Sequence, residues 1–488
     1  MAYLDNNLWG DAKADVDAYI QGLIDSEAFG SITYAITWGD RKIASEGFGR
    51  ADTSDESDGS APDDNTVYRV GSLTKTFTTA LFYSLWQDGL VHLDDRPGDL
   101  WPSFSFVNPY DSQSDYNPIT WESLTSHTAG ILTSNICHQQ IPGGCDLTTE
   151  QVLASIQDVS TIQYAPFTNP EYSNFGFAAL GRLLETPSIL GDLTYYGGLA
   201  ERVLEPLGLK FGFEKTDPLF EGLNFATTGS SHDWDSLGWL DPAGGAYSTA
   251  SDIAEYLIWM MDDKTDTVMQ PSTKRMMLRP QYVFESGRET MAAGWDQAFR
   301  HGTWVYDKSG ELPPYFSNTQ FVPSMKMGVT ILTHDEKGGV SAGEVCAEVT
   351  DKIIHILDAL AGMYGPGDTI PIEGSIDKYL GNYGGTDPRS GEDLSVVTLA
   401  ESTTVPGTIE VTVTANGQHL GLLSAMDTYD GVQMDNVLRY RQPNVGQSCY
   451  VLRFSGSQDQ MATFRTDDEG NVTHVMFPNA TFLWARKL

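Results

Sequence analysis

The distribution of strand signals limits what this chain can fold into more than any other feature. Near the N-terminus, "SITYAITW" (31–38) and "RKIASEGFG" (41–49) read as two β-strands joined by the turn "GD". They follow a stretch, 11–25, in which Val16, Tyr19, Ile20, Leu23 and Ile24 recur at helical spacing. Strand signals return clearly only at "TWVYD" (303–307), "NTQFVP" (318–323) and "KMGVTILTH" (326–334), and a helical pattern then runs from about Glu344 to Leu360. Residues 90–260 are mostly helical and loop material, including "IAEYLIWMM" after the cap-like "DPAGGAYSTASD". This order does not suit a regular βαβ series. It predicts an α+β domain whose sheet is assembled from both chain ends.

A Gly- and Pro-rich segment, "AGMYGPGDTIPIEGS" (361–375), reads as a linker, and the pattern changes beyond it. "LSVVTLAE", "TIEVTVTA", "HLGLLSA", "VLRYRQ", "CYVLRFS", "MATFRTD", "VTHVMF" and "TFLWARK" are closely spaced strand candidates separated by turns such as "ANGQ" and "DDEGN". They predict a second, all-β domain of barrel or sandwich type. The expected division is 1–365 and 372–488.

Charge narrows the partners. Sixty-six acidic against 29 basic residues give a formal net charge of −37, which repels phosphate backbones and anionic lipid. No nucleic-acid partner is expected on that ground, and the acidity reads as a solubilising surface. The acidic segment 51–64 lacks the residue order of a calcium loop. No apolar run reaches the length of a spanning helix, so no membrane insertion is expected, and "MAYLDNNLWG" does not resemble a signal peptide. The tripeptides "NVT" at Asn471 and "NAT" at Asn479 are N-glycosylation acceptors and favour a secreted or extracellular protein, with a cytoplasmic one as the alternative. The four cysteines are too few for a disulfide framework, and neither C-x-x-C nor H-E-x-x-H occurs, so no metal or other cofactor is expected. Cys137 and Cys145 bracket a Pro- and Gly-containing loop. Spacing leaves open a small disulfide ring or two free thiols.

Three short motifs carry the chemistry. Ser72-Leu73-Thr74-Lys75 opens an apolar helix that ends near Gly89; Tyr172-Ser173-Asn174 lies in "NPEYSNFGFAALG"; Lys308-Ser309-Gly310 follows the strand "TWVYD". One Ser-x-x-Lys is expected by chance in a chain of this size, and a second, Ser375 to Lys378, falls in the linker. The specificity therefore rests on the joint occurrence of the three. A serine hydroxyl is a weak nucleophile unless a base takes its proton during attack. Positions i and i+3 share a helix face, so Lys75 can reach the Ser72 oxygen. The first turn of a helix also offers backbone N–H groups with no intrahelical partner, suited to a developing oxyanion. A tyrosine with its ordinary pKa is a poor base at neutral pH, but two neighbouring ammonium groups, here Lys75 and Lys308, favour its phenolate.

With these motifs and the stretches "LTSHTAGI" (124–131), "LEPLGL" (204–209) and "PAGGAYSTASDIA" (242–254), the chain resembles the serine β-lactamase and penicillin-binding-protein-like hydrolases over roughly residues 10–360. The branch is that of class C β-lactamases, D-alanyl-D-alanine carboxypeptidases, D-aminopeptidases and related esterases. The resemblance implies a β-lactamase/transpeptidase-like domain, an antiparallel sheet flanked by helices with a helical subdomain. The segment after 372 is similar, more loosely, to the lipocalin-like barrel appended to many such hydrolases. By resemblance, Ser72 is acylated, Lys75 and Tyr172 share proton transfer, and Lys308 assists through its charge. Asn174 then holds the acyl-side amide of the substrate or the Lys75 ammonium, and the Ser72 and Glu311 backbone N–H groups form the oxyanion hole beside Ser309 and Gly310. The expected substrate is a small ester or amide or a peptide.

Four rivals stand beside this reading, one of them a true class C-like β-lactamase working through the same acyl-enzyme. Gly339-Val340-Ser341-Ala342-Gly343 has the G-x-S-x-G order of an α/β-hydrolase elbow, but its strand ends several residues too early for the required sharp turn. A non-catalytic acyl-serine sensor would keep the same motifs, and an acyltransferase would use the same acyl-enzyme. Within the hydrolase reading, the chain departs from related sequences at "KSGELPPYF", where Glu311 stands at a position usually held by a small residue. Its charge is expected to oppose a substrate carboxylate and to favour neutral esters or amides over penicillins.

Overall fold

In the computed structural model, the described residues are 7–54, 59–110, 118–132, 145–156 and 162–362 without 231–232, 234–235, 302 and 338. After 362 they are 376–386, 393–403, 407–413, 419–425, 437–441, 459–476 without 468 and 470, and 485–488. Cys137, Ser375, Asn479, the strand expected at 449–455 and most of the linker lie outside them. The chain divides into two compact units, Met1–Ile356 and Leu357–Leu488.

In the first unit, β1 (Ser31–Trp38) and β2 (Arg41–Gly49) form a hairpin across Gly39-Asp40, with Gly39 at φ +65°, the left-handed conformation that such a tight turn demands. β3 (Val67–Arg69), β4 (Phe211–Gly212) and β5 (Tyr247–Thr249) make a separate small sheet in the order β3-β5-β4. The main sheet continues with β6 (Tyr282–Val283), β7 (Glu289–Met291), β8 (Asp296–Arg300), β9 (Thr303–Leu312), β10 (Tyr315–Val322) and β11 (Met327–His334). Its order is β2-β1-β11-β10-β9-β8-β7-β6. β1 pairs antiparallel with β11 from Ser31↔His334 to Trp38↔Met327, which joins the two ends of the unit as the strand distribution requires. β6, β7 and β8 are short and carry no alternation that would announce them.

Alternation along β1 shows how the sheet is covered. Tyr34 turns to the helix Asn7–Asp25, where its hydroxyl donates to Asp17 Oδ1 at 2.6 Å. Ser31 and Thr33 turn the other way, to the Tyr68 hydroxyl. With helices on both faces, β1 is buried along nearly its whole length and β11 along all of it. The helix Ala342–Gly362 covers the Tyr34 side, with the Lys352 ammonium 5.9 Å from the Tyr19 ring centre and Cys346 against the Val329 carbonyl.

The helix Thr74–Gln87 is buried on every side from Thr74 to Leu85. Phe77 stacks between Phe211 and Tyr256 at 4.0 and 4.1 Å. Such a helix needs partners for its small polar side chains. Thr74, Thr76 and Thr79 donate to the backbone carbonyls of Gly71, Leu73 and Lys75, and Thr78 reaches the Pro242 carbonyl.

In the second unit, β12 (Gly381–Thr386), β13 (Asp393–Glu401), β14 (Ile409–Val413), β15 (His419–Ala425), β16 (Val437–Arg441), β17 (Asp459–Thr466), β18 (Val472–Met476) and β19 (Ala485–Lys487) pair antiparallel in sequence order. β19 pairs back onto β12, so the ladder closes on itself around Tyr379, Tyr383, Leu399, Val411, Leu423 and Phe464. β12 has no expected counterpart in the sequence: "GNYGGT" has low strand propensity, and pairing on both edges recruits it.

Candidate active site

Ser72 sits in a 3-10 turn, Gly71–Leu73, immediately before the buried helix. The turn is docked on the stretch of β9 that runs past its pairing with β8, which ends at Asp296↔Asp307. Gly71 has φ +51°, and a Cβ there would lie 2.7 Å from the Glu311 backbone nitrogen. A Cβ on Gly310 would lie 2.0 Å from the Val70 carbonyl oxygen. Two glycines thus allow the Ser72 turn and the Lys308-Ser309-Gly310 strand to touch backbone to backbone. Ser317 on β10 fixes the contact by donating to the Val70 carbonyl at 2.7 Å.

One turn along the helix, Lys75 is fully buried, and its ammonium donates to Ser72 Oγ at 2.9 Å, Asn174 Oδ1 at 2.7 Å and the Ala243 carbonyl at 2.6 Å. Ser173 caps the helix Asn174–Arg182 by accepting from the Gly176 N–H, which sets Asn174 at the first helical position, facing Lys75. The Tyr172 ring centre lies 4.8 Å from the Lys75 ammonium and 5.0 Å from that of Lys308. Lys308 is 3% exposed and has Asp296 Oδ2 at 3.7 Å.

These distances shift the protonation equilibria. Burial lowers Lys75 from 10.5 to about 8, with the Lys308 charge adding to the fall and Tyr172 opposing it. Burial works to raise the Tyr172 phenol, but the charges of Lys75 and Lys308 and hydrogen bonds with Lys75 and Ser72 outweigh it and bring the group from 10.0 to about 8. Burial also opposes the Lys308 ammonium. Tyr172, Asp296 and Asp307 nevertheless hold it above 10.5. The cluster therefore contains one fixed cation and a lysine and phenol that exchange protons near neutral pH, with a serine hydroxyl in contact.

The structure brings Ser72, Lys75, Tyr172, Asn174 and Lys308 together and sets the Gly310 and Glu311 backbone against them. The side chains of Ser309 and Glu311 lie elsewhere. They line a cavity of about 640 Å³ with Asp307, Glu336 and Glu344, and Ser72, Lys75, Tyr172 and Lys308 are absent from its walls. Strand alternation is the reason, since 309 and 311 point away from the face on which 308 lies. This corrects the expectation of a Glu311 carboxylate beside the reacting centre. Ser341 is not an elbow nucleophile: β11 ends at His334, and Ser341 caps the helix Ala342–Gly362, accepting from the Glu344 N–H while Glu344 accepts from its N–H and hydroxyl. Among the described residues, no group of three or more His, Cys, Asp or Glu is arranged to hold a metal ion. Cys145 is disulfide-bonded and Cys346 is a buried free thiol.

The family model described as Beta-lactamase matches residues 16–345. The chain belongs to the beta-lactamase family. Among curated relatives, Beta-lactamase-like protein 4 of Dictyostelium discoideum is 26% identical over 343 residues, covering 65% of this chain and 59% of that protein, so the chain spans about three fifths of that relative's length. Two solved structures share the fold. The octameric penicillin-binding protein homologue from Pyrococcus abyssi gives a TM-score of 0.58 at 18% identity, covering 97% of this chain and 99% of the other. EstCE1, a hydrolase with promiscuous acyltransferase activity, gives 0.58 at 19% identity, covering 70% and 98%. Within this beta-lactamase fold, sequence reasoning did not single out two contributors to the cluster. The Ala243 carbonyl left no signal, because any residue supplies one. His127 stood in "LTSHTAGI" without an assigned task; its ring lies 4.5 Å from that of Tyr172.

Proposed function

We propose that this beta-lactamase-family chain is a serine hydrolase that cleaves neutral esters or amides through an acyl-enzyme on Ser72. The observation that carries the proposal is the contact of the Ser72 hydroxyl with Lys75 at 2.9 Å, in a cluster where Lys75 and Tyr172 are both drawn to about 8. As the Ser72 oxygen attacks the carbonyl carbon, its proton passes into the Lys75–Tyr172 pair, and the carbonyl π electrons move onto oxygen beside the Ser72 and Glu311 N–H groups. Collapse expels the alcohol or amine, which takes that proton. Water then repeats the sequence on the acyl-enzyme and releases the acid. An alcohol or amine in place of water gives acyl transfer, a side activity ascribed to the structurally similar EstCE1.

The preference for neutral substrates rests on Lys308. Lys308 is 3% exposed, and its ammonium is already engaged with Asp296 and Tyr172, which leaves little of it for a substrate carboxylate. The disulfide at Cys145 and the exposed Asn471 favour a secreted or extracellular setting over the cytoplasm. The eight antiparallel strands of the second unit support reading it as a lipocalin-like module.

The test is intact-mass labelling with a serine-directed phosphonate, alongside turnover of small aryl esters, D-amino-acid amides and a chromogenic cephalosporin. One adduct, lost in Ser72→Ala, with esters or amides turned over faster than the cephalosporin, is expected. An adduct that persists in Ser72→Ala would overturn the assignment of the nucleophile. Labelling without turnover of any substrate would favour an acyl-serine sensor.

A further inference from the structure

His127 occupies a conformation that its own side chain disfavours. Its φ is +58°, in the left-handed region that costs a non-glycine residue on the order of 1 kcal/mol. It follows the short helix Trp121–Thr125, and the chain on either side is tied down: the Thr128 N–H donates to the Ser123 carbonyl at 2.9 Å and the Phe167 N–H to the Thr128 carbonyl at 2.8 Å. In this pose His127 grips the residues on both sides of Tyr172. Its carbonyl accepts from the Glu171 N–H at 2.8 Å, and its ring Nδ1 accepts from the Ser173 N–H at 3.0 Å. The ring itself lies between Tyr172 at 4.5 Å and 32° and Phe177 at 4.7 Å and 44°.

We infer that His127 is a positioning residue of the Ser72 reaction: it clamps the backbone around Tyr172 and seats the phenol ring, so that the hydroxyl meets Ser72 and the two ammonium groups. This rests on the function proposed above. The same clamp reaches Lys75 by a second route, because Ser173 caps the helix whose first residue, Asn174, accepts from the Lys75 ammonium.

The clamp needs a neutral ring. With Nδ1 accepting, the proton of the neutral imidazole sits on Nε2, which is buried and has no hydrogen-bond partner among the described residues. A protonated ring would carry a hydrogen on Nδ1 and lose the Ser173 N–H. The charged or titratable groups around it are Lys75, Lys308 and Tyr172 on the site side and Glu171 on the clamped segment. Burial, with the positive charges of Lys75 and Lys308, holds the ring well below 6.5. The acceptor therefore persists through the pH range in which Lys75 and Tyr172 titrate.

Two variants separate the acceptor from the ring. His127→Asn keeps a side-chain oxygen near the place of Nδ1 and tolerates positive φ; His127→Phe keeps a stacking ring and removes the acceptor. His127→Phe is expected to lower kcat on a neutral ester about 10- to 100-fold with KM within about 3-fold, and to move the rising limb of the pH profile to higher pH. His127→Asn is expected to recover at least half of the loss on a logarithmic scale. In a Tyr172→Phe background, His127→Phe should cost less than about 3-fold more. Equal losses in the two variants, through kcat or through collapse of the Tm, would overturn the inference, as would full additivity with Tyr172→Phe. Failure of the underlying reading has a different sign, phosphonate labelling that survives Ser72→Ala.

Discussion

Replacing Lys308 by glutamine removes the ammonium that has no proton-transfer task of its own in the proposed mechanism, and leaves Lys75 in place. The Lys308 charge lies 5.0 Å from the Tyr172 ring centre. Tyr172 keeps 40% of its surface exposed, so solvent screening calls for an effective dielectric of about 40, between the interior and bulk values. Coulomb's law then gives about 332/(40 × 5.0), or ~1.7 kcal/mol, equivalent to ~1.2 pH units. The sign follows from the chemistry. Lys308 favours the phenolate of Tyr172 and the neutral amine of Lys75, and both are the basic forms. Loss of Lys308 thus raises both groups, and the rising limb of kcat/KM moves to higher pH whichever of them takes the Ser72 proton. With a phenol at about 8, roughly a tenth is ionised at pH 7, and the shift reduces that to roughly one part in a hundred. A neutral aryl ester followed from about pH 6 to about pH 10, corrected for its spontaneous rate, should show a loss of about 10-fold at pH 7 that narrows in alkali. Lys308→Arg, which keeps the charge, should leave the limb within about half a unit of the parent. A limb that stays in place in Lys308→Gln, or moves to lower pH, refutes the electrostatic reasoning.

The glycine contact and the rival serine give two further expectations. Gly71→Ala places a Cβ 2.7 Å from the Glu311 nitrogen at φ +51°, so turnover should fall about 10²- to 10³-fold, as when an oxyanion donor is lost, and steady-state kinetics within 5-fold of the parent would show that Glu311 N–H has no such task. Ser341→Ala removes the cap that accepts from Glu344 N–H at 3.2 Å; urea unfolding should show about 1 kcal/mol less stability with kcat unchanged, and a large loss of kcat would reopen the G-x-S-x-G serine as nucleophile.

What the sequence determined by itself is whatever depends on neighbours a few residues away. The three-residue spacing of Ser72 and Lys75 places them on one helix face in any context, and their oxygen and nitrogen meet at 2.9 Å. Helical spacing in residues 11–25 and the strand character of 31–49 and 303–334 needed no tertiary help, because the helix displays the period of its buried face and the strands are rich in β-branched and aromatic residues. The weakly patterned β6, β7, β8 and the glycine-rich β12 escaped notice because pairing on neighbouring strands, more than their own residues, makes them strands. Tertiary structure alone decided the chemistry of the cluster. Lys75 draws on Asn174, 99 positions away, and on Ala243, 168 positions away, and no local pattern encodes the burial that brings it to about 8. The side chains of Ser309 and Glu311 leave the site because the sheet presents only one face of β9 to it, and a motif read as a string of letters carries no face. His127 acts on Tyr172 through a left-handed backbone angle and a ring nitrogen, a relation between residues 45 apart that exists only once the fold has brought the segment after the helix Trp121–Thr125 against residues 171–173.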